Sequence, residues 1–200
     1  MERTAEYRIF LVDASSSMKD RLDGHAKIDI VKESLKRFCA EAWPSFYPQW
    51  PLKIGIAAFN LKGIIGKTNI QELVPLMVTP TRAELTNLAE LATTGGSPVR
   101  DGLAYAKNLM QSIATIDRLR HPAVRRIKLI SDGGNKGPDP LSLCEQIAKA
   151  GIKLDTVELS PRPSAFMAKL AEKGQGIHYC VRTVEELTMA LELPRFSESY

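Results

Sequence analysis

Apolar residues in this 200-residue chain occur alternately in short continuous runs and at intervals of three and four. The run Tyr7-Arg8-Ile9-Phe10-Leu11-Val12 reads as a buried strand, and Leu52 to Phe59 as a second. Gln71 to Val78, closed by Thr79-Pro80, reads as a third. Between the first two, Lys27 to Ala42 sets Ile28, Val31, Leu35, Phe38, Cys39 and Ala42 on one helical face, and Trp43-Pro44 ends that helix. Thr81 to Leu91 reads as a short helix capped by Thr81, with Glu84 at the third position. Pro98 to Leu119 reads as a long helix burying Val99, Leu103, Ala106, Met110 and Ile113. Strands at 126–131, 152–159 and 176–181 then alternate with helices at 140–150, 164–173 and 183–193, the last capped by Thr183 with Glu186.

Near-continuous apolar strands separated by helices predict an α/β fold with a doubly wound, mostly parallel sheet and helices on both faces. The 71–78 strand follows 52–59 with no helix between them, which predicts an antiparallel edge. With no internal repeat or linker, one domain is expected over 1–194, followed by a flexible C-terminal tail at 195–200.

Composition narrows the function classes. Apolar content of 44% and charge content of 25% describe an ordinary globular chain, and a net charge of +4 is too modest to signal nucleic-acid binding by itself. The densest basic cluster, Arg118, Arg120, Arg125, Arg126 and Lys128 around His121-Pro122, reads as a solvated turn between helix and strand. Cys39, Cys144 and Cys180 are odd in number and form no CxxC pair, so all three read as reduced core thiols. The polar start Met1 to Glu6 leads directly into a strand, and no apolar run approaches the roughly 20 residues needed to span a bilayer. The expected compartment is cytoplasmic, without membrane association.

The candidate chemistry lies at strand ends. Asp13-Ala14-Ser15-Ser16-Ser17 follows the first strand and presents one carboxylate and hydroxyls at alternate positions. In a doubly wound sheet, ligands sit outside the carboxyl ends of the strands, where the strand order reverses. Two more oxygen-rich loops fall at that edge, Thr94-Gly95-Gly96-Ser97 and Ser131-Asp132-Gly133. Hard divalent cations take all-oxygen shells of this kind. Taken singly, the serines could cap helices or form turns, Asp132-Gly133 could be an ordinary turn, and Ser97 could cap the long helix. Their joint order favours a metal site.

These three segments together resemble a von Willebrand factor type A (vWA) domain of the cytoplasmic prokaryotic type. Its metal-ion-dependent adhesion site (MIDAS) combines D-x-S-x-S, a Thr in a Gly-rich loop, and an Asp before Gly. The resemblance covers nearly the whole chain and implies Asp13, Ser15, Ser17, Ser97 and Asp132 as metal residues. It departs at Ser97, which stands where the family usually has Thr and so lacks the methyl that restricts the rotamer. Thr93 and Thr94 are the alternative donors, in poorer register. The implied metal is Mg2+, which Mn2+ or Ca2+ could replace, and the implied partner is a protein whose Asp or Glu completes the coordination shell. Cytoplasmic members work beside ATPases, chaperone-like assemblies or stress-response systems.

Other readings are weaker. A metal-independent vWA scaffold would leave the oxygen set without a use. Gly63-Ile64-Ile65-Gly66-Lys67-Thr68 holds the Gly-Lys-Thr of a P-loop, but Leu61 stands where its first Gly is required. No Gly-x-Ser-x-Gly elbow exists, no paired Cys or His could hold zinc, and Ser15 stands where a dehalogenase-type phosphotransferase would carry a second Asp. The expectation is a binding module, not an enzyme.

Overall fold

The computed structural model describes residues 5–42, 52–62, 67–77, 80, 82–116 and 123–193. Chain order is β1 (Ala5–Asp13), the short strands β2 (Arg21–Leu22) and β3 (His25–Ala26), then α1 (Lys27–Arg37), continued by a π-helical turn over Phe38–Ala42. Next come β4 (Leu52–Lys62), β5 (Lys67–Met77), α2 (Arg82–Ala89) and α3 (Val99–Ile116). The remainder alternates: β6 (Ala123–Ser131), α4 (Leu141–Lys149), β7 (Ile152–Leu159), α5 (Ala165–Lys173), β8 (Gln175–Val181) and α6 (Val184–Glu192).

Six strands form one sheet in the order β5-β4-β1-β6-β7-β8, parallel except for β5. The expected antiparallel edge is therefore present, although it starts at Lys67 instead of Gln71. Lys67 and Thr68 lie in that strand, where a P-loop would open a helix. The expected ends at Trp43-Pro44 and Thr79, the cap at Thr81, the basic residues Arg118 and Arg120, and the 195–200 tail lie outside the described residues.

Alternation along β1 builds two cores. Phe10 and Val12 face α1, α2 and α6 through Val31, Leu35, Leu88 and Leu187, while Ile9 and Leu11 face α3, α4 and α5 through Leu103, Met110, Ile147 and Leu170. Phe10 meets Phe38 edge to face, with ring centres 5.1 Å apart. The anticipated cap of α6 forms: the Thr183 hydroxyl accepts from Glu186 N–H at 3.2 Å, and Glu186 Oε2 accepts from the N–H of Arg182. No helix among the described residues is long and apolar enough to cross a membrane.

Two expectations fail. Arg126 and Lys128 are not in a solvated turn; both lie in β6 and are buried. Arg126 Nη1 donates to both Asp155 carboxylate oxygens at 2.9 and 2.8 Å, and Lys128 Nζ lies 3.2 Å from Asp155 Oδ2. Lys128 also donates to the Ala190 carbonyl at 2.7 Å, and Arg8, paired with Glu6, donates to the carbonyls of Leu191 and Glu192. Cations suit these positions because the last carbonyls of a helix lack intrahelical partners and carry partial negative charge. Likewise Cys39 and Cys144 are buried free thiols, but Cys180 is exposed because β8 is an edge strand. Burial pushes the Cys39 and Cys144 thiols up to about 12.

Burial also lowers Lys128 to about 7, against the opposing pull of Asp155. Between about 7 and its ordinary 10.5 the unfolded chain then binds the extra proton, so stability rises with pH across that window. Below about 7 this contribution is at its minimum and flat. Urea unfolding from pH 6 to 10 should show a slope of up to about 1.4 kcal/mol per pH unit that Lys128→Met removes. Parallel profiles for the two proteins would refute it.

Candidate metal centre

The chain runs outward from β1 to β4 and β5, then returns across β1 to β6, so the strand order reverses between β1 and β6. Asp13 ends β1, Ser131 ends β6 and Asp132 follows it, which puts both loops at the crevice where open α/β sheets bind ligands. A third loop, 94–97, enters α3 alongside them.

Backbone hydrogen bonds lace the loops together. Ala14 N–H donates to the Phe59 carbonyl and Thr94 N–H to that of Ala14, both at 2.9 Å. Ser16 N–H donates to Gly95 O and Leu61 N–H to Gly96 O, again at 2.9 Å. Gly95 permits this approach: its φ is +67°, and a Cβ there would lie 1.8 Å from the Leu61 carbonyl oxygen. On the other side, Lys136 N–H reaches the Ser97 carbonyl at 2.7 Å.

At the centre is the buried Asp13 carboxylate. Oδ1 accepts from Ser15 N–H at 2.8 Å, while Oδ2 accepts from the hydroxyls of Ser97 and Ser131, each at 2.7 Å. Burial pushes the Asp13 carboxyl above its ordinary range, opposed by the hydrogen bonds from Ser131, Ser97 and Ser15. With its proton turned to Asp13, the Ser97 hydroxyl keeps its oxygen lone pairs available to a cation. Ser15 starts a 3-10 turn over Ser16–Lys19 without capping it by its side chain, and its Oγ lies 3.1 Å from Ser17 Oγ.

Asp13, Ser15, Ser17 and Ser97 are thus joined in one hydrogen-bonded set. Asp132 stands apart: its Oδ2 accepts from Lys27 Nζ at 2.9 Å. Beside it, Gly133 has φ +93°, and a Cβ there would meet the buried Glu158 carboxylate at 2.7 Å, which fixes how the chain leaves β6. Three participants lie outside the five residues that the sequence assigns to the metal. Ser131 belongs to the oxygen-rich 131–133 loop, but only its neighbour Asp132 is in the expected set. Lys27 and Asn135 carry no local signal.

An open cavity of about 370 Å³ lies over this set, its wall including Ser15, Ser17, Ser97 and Asn135. Asn135 Oδ1 is buried without a hydrogen-bond partner, an oxygen whose satisfaction calls for a cation or a donor. Hydroxyl and amide oxygens on the wall of a cavity of this size, with the Asp13 carboxylate hydrogen-bonded directly behind them, fit a hard divalent ion. Among the described residues, no group of three or more His, Cys, Asp or Glu could hold a metal, so the mixed set is distinguished by its hydroxyls.

No family model matches the chain, and no curated protein matches it either. Similar solved structures include the conserved hypothetical protein BatB from Bacteroides thetaiotaomicron, with a TM-score of 0.70 and 15% identity over 94% of this chain and 95% of that one. The SpRpn10 VWA domain has a TM-score of 0.70 and 13% identity over 94% of each chain. Proximal thread matrix protein 1 from the mussel byssus, with a zinc-occupied MIDAS motif, has a TM-score of 0.63 and 15% identity over 95% of this chain and 45% of that one. Identities this low carry the fold alone, and that fold is the one shared by von Willebrand factor type A domains.

Proposed function

We propose that this protein is a binding module, not an enzyme, which holds a divalent cation at Asp13, Ser15, Ser17, Ser97 and Asp132 and uses it to engage a carboxylate of a partner protein. The observation that carries this reading is Asp13: one buried carboxylate draws in donors from the 13–17, 94–97 and β6 loops beneath an open, oxygen-lined cavity. A metal there would supply a Lewis-acidic point of attachment. The side chains of this chain provide the rest. Asp13 orients Ser15 and Ser97, the serine oxygens line the cavity floor, and the rim stays open for an incoming Asp or Glu. The zinc-occupied MIDAS of the mussel protein supports metal chemistry on this fold. Mg2+ is the proposed resident, because the donors are all hard oxygens.

Calorimetric titration of the metal-free protein with Mg2+ and Mn2+ should give one site per chain. Capture of a partner should be lost in EDTA and restored by added Mg2+. A protein that binds neither ion, yet captures the same partner in chelator, would instead be a metal-independent scaffold.

A further inference from the structure

Lys27 occupies the first position of α1, where the partial positive charge of the helix N-terminus disfavours a cation. Local structure nevertheless holds it there. The Asp23-Gly24 turn, with φ values of 48° and 87°, closes the β2–β3 hairpin, and Lys27 N–H is tied to the Asp20 carbonyl at 3.1 Å. From that position Nζ reaches Asp132 Oδ2, 105 residues away in sequence, at 2.9 Å. The pair is largely withdrawn from water, with side chains 14% and 7% exposed. Asp132 does not line the cavity that Ser15, Ser17, Ser97 and Asn135 enclose. One of the two carboxylates assigned to the metal is therefore held by a cation of the protein itself.

We propose that Lys27 is a tethered competitor of the metal, setting its affinity and the charge it presents to a partner. The proposal rests on the metal reading above. Without metal, Lys27 balances Asp132. With a divalent ion in place, Asp13 and Asp132 already balance it, and Lys27 adds one positive charge to that of Lys136 on the cavity wall. Within a few ångströms and partly shielded from water, that surplus repels the metal and attracts an incoming carboxylate. A single side chain thus acts with opposite sign on the two binding steps, weakening the first and strengthening the second. A purely structural ion pair would move neither.

The test uses the full chain. Mn2+ is titrated by calorimetry into wild type, Lys27→Met, Lys27→Gln and Asp13→Asn, with circular dichroism and thermal melts confirming that each is folded. Lys27→Gln keeps a hydrogen-bond donor for Asp132 without the charge, so it serves where Lys27→Met fails to fold. Both neutral variants should bind Mn2+ about tenfold more tightly than wild type. Acetate titrated onto the Mn2+-loaded protein should bind them several-fold more weakly, read by water-proton relaxation. Equal or weaker Mn2+ binding by folded Lys27→Gln, with wild type binding and Asp13→Asn not, overturns the role of Lys27 and leaves the metal reading intact. No Mn2+ binding by any of the four proteins overturns both.

Discussion

Asp13→Asn is expected to weaken divalent-metal binding by about 100-fold or more while leaving the metal-free protein at least as stable as wild type. The two halves of this result have one cause. Asp13 is buried, and its carboxyl is raised above the ordinary range chiefly by desolvation, so ionising it in the metal-free fold costs free energy. A folded-state value above the unfolded one means that stability is greatest at low pH and falls as pH rises through the unfolded and then the folded value. Asparagine removes that cost. It still offers an oxygen to Ser15 N–H, and an amide that the Ser97 and Ser131 hydroxyls can accept from by rotating. Without the negative charge, though, a divalent ion loses its most deeply held anion. Calorimetry with Mn2+ and urea unfolding in EDTA measure the two halves separately. Wild-type affinity in the variant, or a large loss of metal-free stability, would contradict this account and point to a structural role for the carboxylate.

Asp155→Ala is expected to destabilise the fold by about 3–5 kcal/mol, a fall in Tm of roughly 6–20 °C for a chain of this size. Asp155 accepts two hydrogen bonds from Arg126, sits 3.2 Å from Lys128, and accepts from Ile177 N–H at 3.0 Å. The network contains three cations, Arg8, Arg126 and Lys128, but only two carboxylates, Glu6 and Asp155, so carbonyls at the end of α6 supply the remaining negative character. Removing Asp155 leaves Arg126 with Glu6 alone, at 3.8 Å, and strands a β8 amide. Lys128→Met takes away the surplus positive charge and should cost far less. Urea or thermal unfolding of the two variants compares them directly. A cost below about 1 kcal/mol for Asp155→Ala would show that the network is replaceable.

Much of the fold was legible in sequence because burial has a local signature. Ile9, Phe10, Leu11 and Val12 sit in a strand covered on both faces, so they form a continuous apolar run. α1 and α3 each bury one face, so Val31 and Leu35, or Leu103 and Met110, recur at helical intervals. The basic residues of β1 and β6 were misread or passed over because a strand ordinarily avoids buried Arg and Lys. Their partners lie far along the chain, Asp155 being 29 residues from Arg126 and Ala190 62 residues from Lys128. Cys180 was misplaced because its exposure follows from β8 being the last strand of the sheet, a matter of strand order and not of its neighbours in sequence.

By itself, the sequence determined the six strands of the main sheet, the helices between them and the apolar face each helix buries, and set Asp13, Ser15, Ser17, Ser97 and Asp132 in loops at one edge of that sheet. Tertiary structure alone decided how those oxygens are used. It brought the Ser97 and Ser131 hydroxyls onto the same oxygen of Asp13, across 84 and 118 residues, and turned Asp132 to Lys27. The reason is physical. Periodicity and turn chemistry act over a few residues, whereas compensation of a buried charge depends on distances through space that exist only once the sheet has assembled.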